Sequence, residues 1–351
     1  MRVSGSSTKL AATCSVLITI VSVLDVQAES PTAQQQTPND TDTDHGSRYE
    51  PAILKLAQDI KDYYVFPQIG AQYAAMLRRN LERGSYRDAN DPAEISKRLT
   101  ADLKAISDDL HLRVRPKQPT PIPTASLANA VEGGKRIAEG IAYIRFNLFP
   151  GTPETVAATK QFMLEHVTAR AVIIDGRHNH GGGGDEINVM LPYFYAKPTR
   201  LVAMEASEQV VKAEGFPVSE DEFFHRVKAP PGMVRFEHVI TPNPTEHRLF
   251  KAKLFYLTSS DTGSAGEVLA FALKLTHRGT LVGEPTRGMD HFGHFLPLGE
   301  DLEVFMPMGR TFDPVTGKDW ESVGVAPDVL TAADEALNVA LKLAEREKAA
   351  N

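Results

Sequence analysis

The feature that most constrains the fold is an alternation of apolar, strand-like runs with helical stretches in the second half of the chain. The runs Gly140–Phe146, Ala171–Asp175 and Leu254–Leu257 are each followed by a segment that reads as a helix, and another run ends at Gly283. This alternation is typical of a layered α/β domain with a largely parallel sheet. Sites in such sheets form at the carboxyl ends of the strands. We therefore expect an α/β domain over residues 137–345.

The N-terminal region has a different character. Basic residues precede an apolar run that ends in Val-Gln-Ala, so residues 1–28 are interpreted as a cleaved secretory signal. A retained anchor, for which the run is short, and a lipoprotein signal at Cys14 are the alternatives. Residues 29–48 are polar and predict a disordered leader. We expect an exported protein, in a periplasm or in the surrounding medium.

Three further segments complete the predicted organisation. Apolar residues at helical spacing predict a small helical domain over residues 49–115, in which Asp91 and Pro92 begin the third helix. A proline-rich stretch predicts a linker over residues 116–136. Residues 197–247 are charged and show no clear period, so they predict an excursion over the surface beside the site.

Composition excludes several classes of function. The net charge is −7 and no basic stripe of the kind that binds nucleic acid is present. Cleavage of the signal removes Cys14, the single cysteine, so a thiol nucleophile and thiolate metal ligands are excluded. No later apolar run is long enough to cross a membrane.

Ser264 lies where an apolar strand pattern gives way to small residues and a helix begins. Free N–H groups at a helix N-terminus favour negative charge, which suits a nucleophile. Ser264 and Glu267 also have the S-x-x-E spacing of a capping box, which explains the serine by structure alone. Both interpretations stay open on these residues.

A run of four glycines, Gly181–Gly184, follows the strand that ends at Asp175. Consecutive glycines cost conformational entropy, so they predict a close approach of the backbone to another group. The N–H groups of Gly181 or Gly182, with that of Ala265, can form an oxyanion hole. A flexible loop is the alternative.

A hydroxyl nucleophile needs a base, and His111 is the first candidate. It lies at the boundary between the two predicted domains, where a histidine can also stabilise a helix C-terminus. His291 is the reserve candidate for the base. A metal site built from His178, His180, His291 and His294 is a weaker alternative, because their spacing fits no tetrahedral pattern.

These segments, taken in order, resemble the C-terminal-processing (tail-specific) peptidases, and within them the branch similar to the tricorn protease core and interphotoreceptor retinoid-binding protein. The resemblance spans most of residues 49–328. Its motifs are Asp62–Pro67, Asp108–Leu112, Asp175–Gly182, Ser264–Glu267, Val282–Thr286 and Trp320–Asp328.

The resemblance implies a Clp-protease/crotonase-like fold for the α/β domain and a serine nucleophile at Ser264. The tail-specific branch uses a lysine base, and the matching segment Gly283–Met289 has none. The tricorn-like branch uses a histidine and a glutamate, which correspond to His111 and Glu321. Glu321 would orient the imidazole or a relaying hydroxyl, as the third member of a triad does. Leu110 stands where that branch usually has serine or glycine.

The resemblance also bears on substrates. These peptidases often carry a PDZ domain before the first core strand, but only residues 115–139 are present there. Capture of a substrate C-terminus by a PDZ domain is therefore not expected.

We expect an exported serine peptidase that acts on peptides or proteins. No cofactor is implied, and an oligomer is compatible with the sequence. The alternatives are a binding protein for retinoid-like or fatty-acid-like ligands, with an apolar cavity in the helical domain, and a catalytically idle scaffold.

Overall fold

The computed structural model of the chain describes residues 47–118 and 129–346. The predicted signal peptide, the leader up to residue 46 and the middle of the predicted linker, residues 119–128, lie outside the described residues. Within the described ranges, no helix has both the length and the apolar character needed to cross a membrane.

The described residues form eight α-helices and twelve β-strands. The helices are α1 (Glu50–Tyr63), α2 (Pro67–Glu82), α3 (Pro92–Lys104), α4 (Pro153–Glu165), α5 (Asp185–Met190), α6 (Glu208–Glu214), α7 (Ala265–Leu275) and α8 (Ala336–Arg346). The strands are β1 (Arg113–Pro116), β2 (Val131–Ala138), β3 (Ile141–Phe146), β4 (Ala171–Asp175), β5 (Thr199–Ser207), β6 (Phe224–Val227), β7 (Met233–Ile240), β8 (Lys253–Thr258), β9 (Thr280–Gly283), β10 (Phe292–Pro297), β11 (Leu302–Phe312) and β12 (Val329–Leu330).

The first sheet has the strand order β12-β9-β8-β4-β3-β2 and is parallel except for the β2–β3 pair. Helices cover both of its faces. In β4, Val172 and Ile174 pack in a core with α4, α5 and α7, whereas Ala171 and Ile173 pack against α8. Successive side chains of a strand point to opposite faces, so a strand covered on both sides must be apolar throughout. The predicted layered α/β fold is confirmed.

The second sheet has the order β1-β11-β5-β7-β6, with β10 also paired to β11, and all its pairings are antiparallel. Residues 197–247, predicted to be an irregular excursion, supply β5, α6, β6 and β7 of this layer. The prediction of a surface excursion was wrong, because the segment forms regular elements of a sheet, whereas its predicted location beside the site agrees with the structure. The period of two is present in β7, where Val234, Phe236 and Ile240 are buried, but buried His238 interrupts the apolar pattern.

Helices α1–α3 pack on the second sheet. Ile53, Leu77 and Leu99, one from each helix, share a core with Val304 of β11. The helix α3 begins as predicted, because the side chain of Asp91 accepts hydrogen bonds from the first-turn N–H groups. The strand β1 follows α3 closely and pairs with β11, so the chain enters the second sheet directly from the helices. The strand β2 begins at Val131, within the segment predicted as a linker.

Candidate active site

Ser264 lies between the end of β8 and the start of α7, at the carboxyl edge of the first sheet. Its backbone has φ 52° and ψ −122°, a conformation that residues other than glycine rarely adopt. The side chain faces the first turn of α7 in a capping-box arrangement with Glu267. However, the N–H of Glu267 donates to the Ser264 carbonyl oxygen at 2.8 Å, and the serine hydroxyl makes no capping hydrogen bond. Within the described residues, the hydroxyl is therefore available for other contacts.

Glu267 holds the backbone around Ser264. Its buried carboxylate accepts hydrogen bonds from the N–H of Ser264 at 2.9 Å and the N–H of Met289 at 2.8 Å. The other oxygen accepts from the Thr286 hydroxyl and the Gly288 N–H, each at 2.6 Å. Burial raises the pKa of Glu267, and these hydrogen bonds offset part of that rise. One side chain thus connects the serine to the loop that follows β9.

Two of the four glycines lie where a side chain could not. An added Cβ at Gly181, where φ is +100°, would lie 2.6 Å from the Ser264 Cβ. One at Gly182, where φ is +127°, would lie 2.0 Å from the carbonyl oxygen of Phe149. The nearest atoms at Gly183 and Gly184 are 3.8 and 3.9 Å away, which is ordinary contact. The close approach predicted from the glycines is therefore made by the first two.

The backbone N–H groups beside Ser264 differ in whether they already have a hydrogen-bond acceptor. The Gly181 N–H donates to the side-chain oxygen of buried Asn179 at 2.8 Å. In the parts of the chain that the structure describes, no hydrogen bond occupies the N–H of Gly182 or of Ala265. An added Cβ at Gly181 would lie 3.1 Å from the Ala265 nitrogen, so these backbone segments are adjacent. Two free N–H donors thus flank the serine.

His111 lies in the turn between α3 and β1, with only 4% of its surface exposed. Its ring stacks on Phe305 of β11, with 5.0 Å between the ring centres. Asp109 fixes the turn by accepting the backbone N–H of His111 at 2.9 Å. Burial lowers the pKa of His111 to about 4. Within residues 47–118 and 129–346 neither ring nitrogen has a hydrogen-bond partner, and Nδ1 is the fully buried one.

One cavity of about 550 Å³ brings these groups together. Its lining includes Ser264, Ala265, Gly182 and His111. Gly181 lies behind this surface, against Ser264. The remaining walls come largely from the second sheet and from the 210–218 segment, which belongs to the region that sequence predicts beside the site.

Glu321 is inside the protein rather than on its surface, with a side chain 12% exposed. It makes no hydrogen bond to the His111 imidazole. Its carboxylate accepts the backbone N–H groups of Leu110 at 3.3 Å, Asp290 at 2.6 Å and His291 at 3.2 Å. Burial raises its pKa to about 7. Glu321 therefore holds the two segments that carry His111 and His291 through their backbones.

His291 is buried and is not part of the cavity lining. Its Nδ1 lies 2.8 Å from an oxygen of Asp109 and 3.7 Å from Glu321. Burial lowers the pKa of His291, but the hydrogen bond to Asp109 and the two negative charges outweigh it, so the net pKa is raised. His291 and His111 thus differ in access to the serine and in basicity.

The histidines of the predicted metal alternative are dispersed. His178 and His180 are exposed, and His294 contacts Glu214 at 3.3 Å. Among the described residues, the group with metal-type donors close together is Asp109, His291 and Glu321, within 4.8 Å of one another. Each of these donor atoms already has a hydrogen-bond partner in the protein.

Sequence reasoning assigned no role to Asn179, Asp109 or Asp290. All three are buried and polar, and each contacts or adjoins a predicted site residue. Asn179 and Asp109 lie within the quoted motifs, two residues from Gly181 and His111 respectively. Their proximity in sequence to Gly181 and His111 was the signal that could have identified them.

Comparison with known proteins gives the family. The family model described as peptidase family S41 matches residues 140–331, which is more than half of the chain. This chain belongs to peptidase family S41. The model for the N-terminal domain of S41 peptidases in eukaryotic IRBP matches residues 47–138. The resemblance seen in the motifs is confirmed, and the S41 chain is a serine-type peptidase whose substrates are peptides or proteins.

Solved structures share the S41 fold at low identity. A putative peptidase from Parabacteroides merdae superposes with a TM-score of 0.58 at 14% identity, covering 85% of this chain and 97% of that one. A Streptococcus agalactiae lipoprotein gives 0.56 at 12% identity, covering 85% and 96%. The photosystem II D1 C-terminal processing protease gives 0.50 at 17% identity, covering 82% and 94%.

Only residues 117–130 separate β1 from β2 in this S41 peptidase, too few for a PDZ domain.

Proposed function

We propose that this S41 peptidase is an exported enzyme in which Ser264 attacks the scissile carbonyl and His111 is the general base. The observation that carries the proposal is the shared cavity. A serine with a free hydroxyl and a histidine with free ring nitrogens line the same space. Nδ1 of His111 is enclosed, so Nε2 is the nitrogen that takes the hydroxyl proton. It then returns this proton to the leaving amine, and water releases the acyl group by the same route.

The low pKa of His111 keeps its imidazole unprotonated at neutral pH, although it also makes the imidazole a weaker base. An imidazole with a pKa of about 4 is almost entirely unprotonated at pH 7, so it is ready to accept a proton. The imidazolium that forms during the reaction is stabilised by the negative charge of Asp109, which raises the pKa of His111 against the effect of burial.

The oxyanion that forms on the substrate is bound by the N–H groups of Gly182 and Ala265. Among residues 47–118 and 129–346 neither N–H has a hydrogen-bond acceptor, and both residues line the cavity with Ser264. Gly181 contributes by its shape, because its missing side chain lets the loop touch Ser264. Preorganised donors of this kind are worth about 10²–10³ in rate each.

Glu321 acts as a positioning residue in this scheme. It holds the Leu110 N–H, next to His111, rather than the imidazole itself. Leu110 cannot relay a proton, so the triad role of orienting the ring passes to the backbone of the turn and to the stacked Phe305 ring.

Export rests on the sequence of residues 1–28, with its basic start, apolar run and Val-Gln-Ala end. The measurement for this part is the N-terminal residue of the protein recovered from outside the cytoplasm of a host. Cleavage after Ala28 is expected, and an intact N-terminus on intracellular protein would contradict it.

The test of the chemistry is covalent labelling by a fluorophosphonate, read by intact mass. The purified protein is compared with Ser264→Ala, His111→Ala and His291→Ala, each shown to be folded by its thermal transition. Labelling that requires Ser264 and His111 but survives loss of His291 is expected. Labelling of Ser264→Ala would overturn the nucleophile, and labelling that needs His291 instead of His111 would overturn the base. A folded wild type that takes no label and binds retinol or oleate would favour the ligand-binding alternative.

A further inference from the structure

Asn179 lies in the loop between β4 and α5 and is fully buried. Its side-chain Oδ1 accepts the backbone N–H of Gly181 at 2.8 Å, two residues further along the chain. Its backbone carbonyl oxygen accepts the N–H of Gly263 at 2.9 Å, in the segment that leads to Ser264. One residue therefore holds both the glycine loop and the segment that carries the serine.

The side chain of Asn179 also packs against the first turn of α7. An added Cβ at Gly266, the second residue of that helix, would lie 3.1 Å from Oδ1 and 3.2 Å from Cγ of Asn179. Ala265, whose N–H is one proposed oxyanion donor, directly precedes Gly266. Asn179 thus contacts the backbone on both sides of the proposed oxyanion hole.

The peptide group that joins Gly181 to Gly182 has a defined orientation. Its carbonyl oxygen accepts the N–H of Phe149 at 2.8 Å. In a planar trans peptide the C=O and N–H bonds point in opposite directions, so the Gly182 N–H is turned away from Phe149. The next N–H, that of Gly183, donates to the Phe149 carbonyl oxygen at 2.6 Å. The direction of the Gly182 donor therefore depends on the peptide that precedes it.

The Gly181 N–H restrains this peptide from the other side. In the described ranges its acceptor is Oδ1 of Asn179 alone. Glycine is free to adopt many backbone conformations, so the loop residues do not restrain themselves. Without Oδ1 the buried Gly181 N–H would lack an acceptor, which favours rotation of the backbone toward another one. Such a rotation would also move the carbonyl group bonded to Phe149 and, with it, the Gly182 N–H.

We propose that Asn179 is a positioning residue for the oxyanion hole. Its Oδ1 sets the direction of the Gly182 N–H, and its contacts with Gly263 and Gly266 fix that donor relative to Ala265. This inference rests on the proposed function, which assigns the two donors to the oxyanion. Asn179 is enclosed and is not part of the cavity lining. Because the oxyanion forms in the chemical step, loss of Oδ1 should slow that step and leave binding almost unchanged.

The test follows fluorophosphonate labelling over a range of reagent concentrations, which separates the maximal labelling rate from the half-saturating concentration. We expect Asn179→Ala to lower the maximal rate by at least about 30-fold, less than the full cost of a lost oxyanion donor, with a half-saturating concentration within about threefold of wild type. Asn179→Ser differs from the alanine variant by one hydroxyl oxygen, which makes the same turn contact more weakly, so it should label at least about fivefold faster than alanine.

Asn243→Ala is the matched control. Oδ1 of Asn243 accepts the N–H groups of Thr245 and Glu246, each at 3.0 Å, in a loop outside the cavity lining. This variant should label at the wild-type rate, and a loss equal to that of Asn179→Ala would overturn the inference.

Equal maximal rates for the alanine and serine variants of Asn179, or an effect confined to the half-saturating concentration, would overturn the positioning role alone. If the alanine variant does not fold, the serine variant decides, because it should label about 3- to 10-fold more slowly than wild type, and a wild-type rate would overturn the role. A folded wild type that takes no label at Ser264 would overturn the proposed function instead.

Discussion

The carboxylate of Glu267 accepts a hydrogen bond from the backbone N–H of Ser264 at 2.9 Å. A serine with φ near 52° is held against its own preference, so surrounding contacts must fix it. Because the same carboxylate binds three groups of the loop after β9, the serine conformation and the position of that loop are set together.

Glu267→Ala should destabilise the protein by several kcal/mol. The change leaves four donors without an acceptor in a buried place, and each unsatisfied donor costs roughly 1–3 kcal/mol before relaxation. Urea unfolding followed by circular dichroism measures the loss. Asp261→Ala, at a half-exposed carboxylate in the preceding loop, is the control and should change stability by less than about 0.5 kcal/mol. Equal effects of the two changes would contradict this account of Glu267.

Gly182→Ala should impair the enzyme far more than Gly183→Ala. The new methyl group at residue 182 would meet the carbonyl oxygen of Phe149 at 2.0 Å, whereas at residue 183 the nearest atom is 3.8 Å away. We expect at least about a 100-fold loss of kcat/KM in the first variant, the cost of losing one oxyanion donor, and less than a few-fold loss in the second. Similar rates for both variants would show that the glycines matter only as a flexible loop.

The pH profile of kcat/KM should separate the two candidate bases. A general base works when unprotonated, so the rate falls as pH falls through its pKa. Burial lowers the pKa of His111 to about 4, and the profile should therefore be flat from about pH 5.5 to 8. Asp109 raises the pKa of His291 in spite of burial, so a His291 base would give an acid limb above about pH 6.5. Rates measured from pH 4 to 9 distinguish these profiles.

Glu321 should make the protein less stable as pH rises through neutrality. Its folded pKa, raised by burial to about 7, is above the ordinary value of 4.5. The folded state then holds the proton more tightly than the unfolded state, so this contribution is fully present below about pH 4.5 and is lost as pH rises through 7. The melting temperature should fall less between pH 5 and pH 8 in Glu321→Gln than in the wild type. Equal declines in melting temperature in the two proteins would refute the assignment of this pH dependence to Glu321.

The parallel sheet and the Ser264 region could be predicted because their signals are local. An apolar strand, a glycine run and a helix start each appear within a few residues. The antiparallel sheet could not be found this way, since β11 pairs with β1 and β5, which are distant in sequence, and its strands have polar residues on one face. Even β7, with a period of two, was obscured by His238, whose burial depends on Asn188 in another element.

The resemblance pointed to Glu321 but not to its contacts. A motif specifies a residue type at a position, whereas the partner of a carboxylate depends on how three separate loops meet. The same reason explains Asp109 and Asp290, whose carboxyl groups have opposite surroundings although both adjoin a candidate histidine. The Asp109 carboxylate accepts several hydrogen bonds, whereas in the part of the chain that the structure describes no side chain donates a hydrogen bond to the Asp290 carboxyl group.

The pairing of β1 with β11 also has a consequence for biosynthesis. The strand β1 carries the turn of His111 and, within the described residues, pairs only with β11, which is made after Ser264. A nascent chain whose synthesis has passed Ser264 but not β11 thus has both residues without the strand pairing that holds the turn of His111. In the proposed scheme, hydrolytic competence would then be acquired only after β11 has been synthesised.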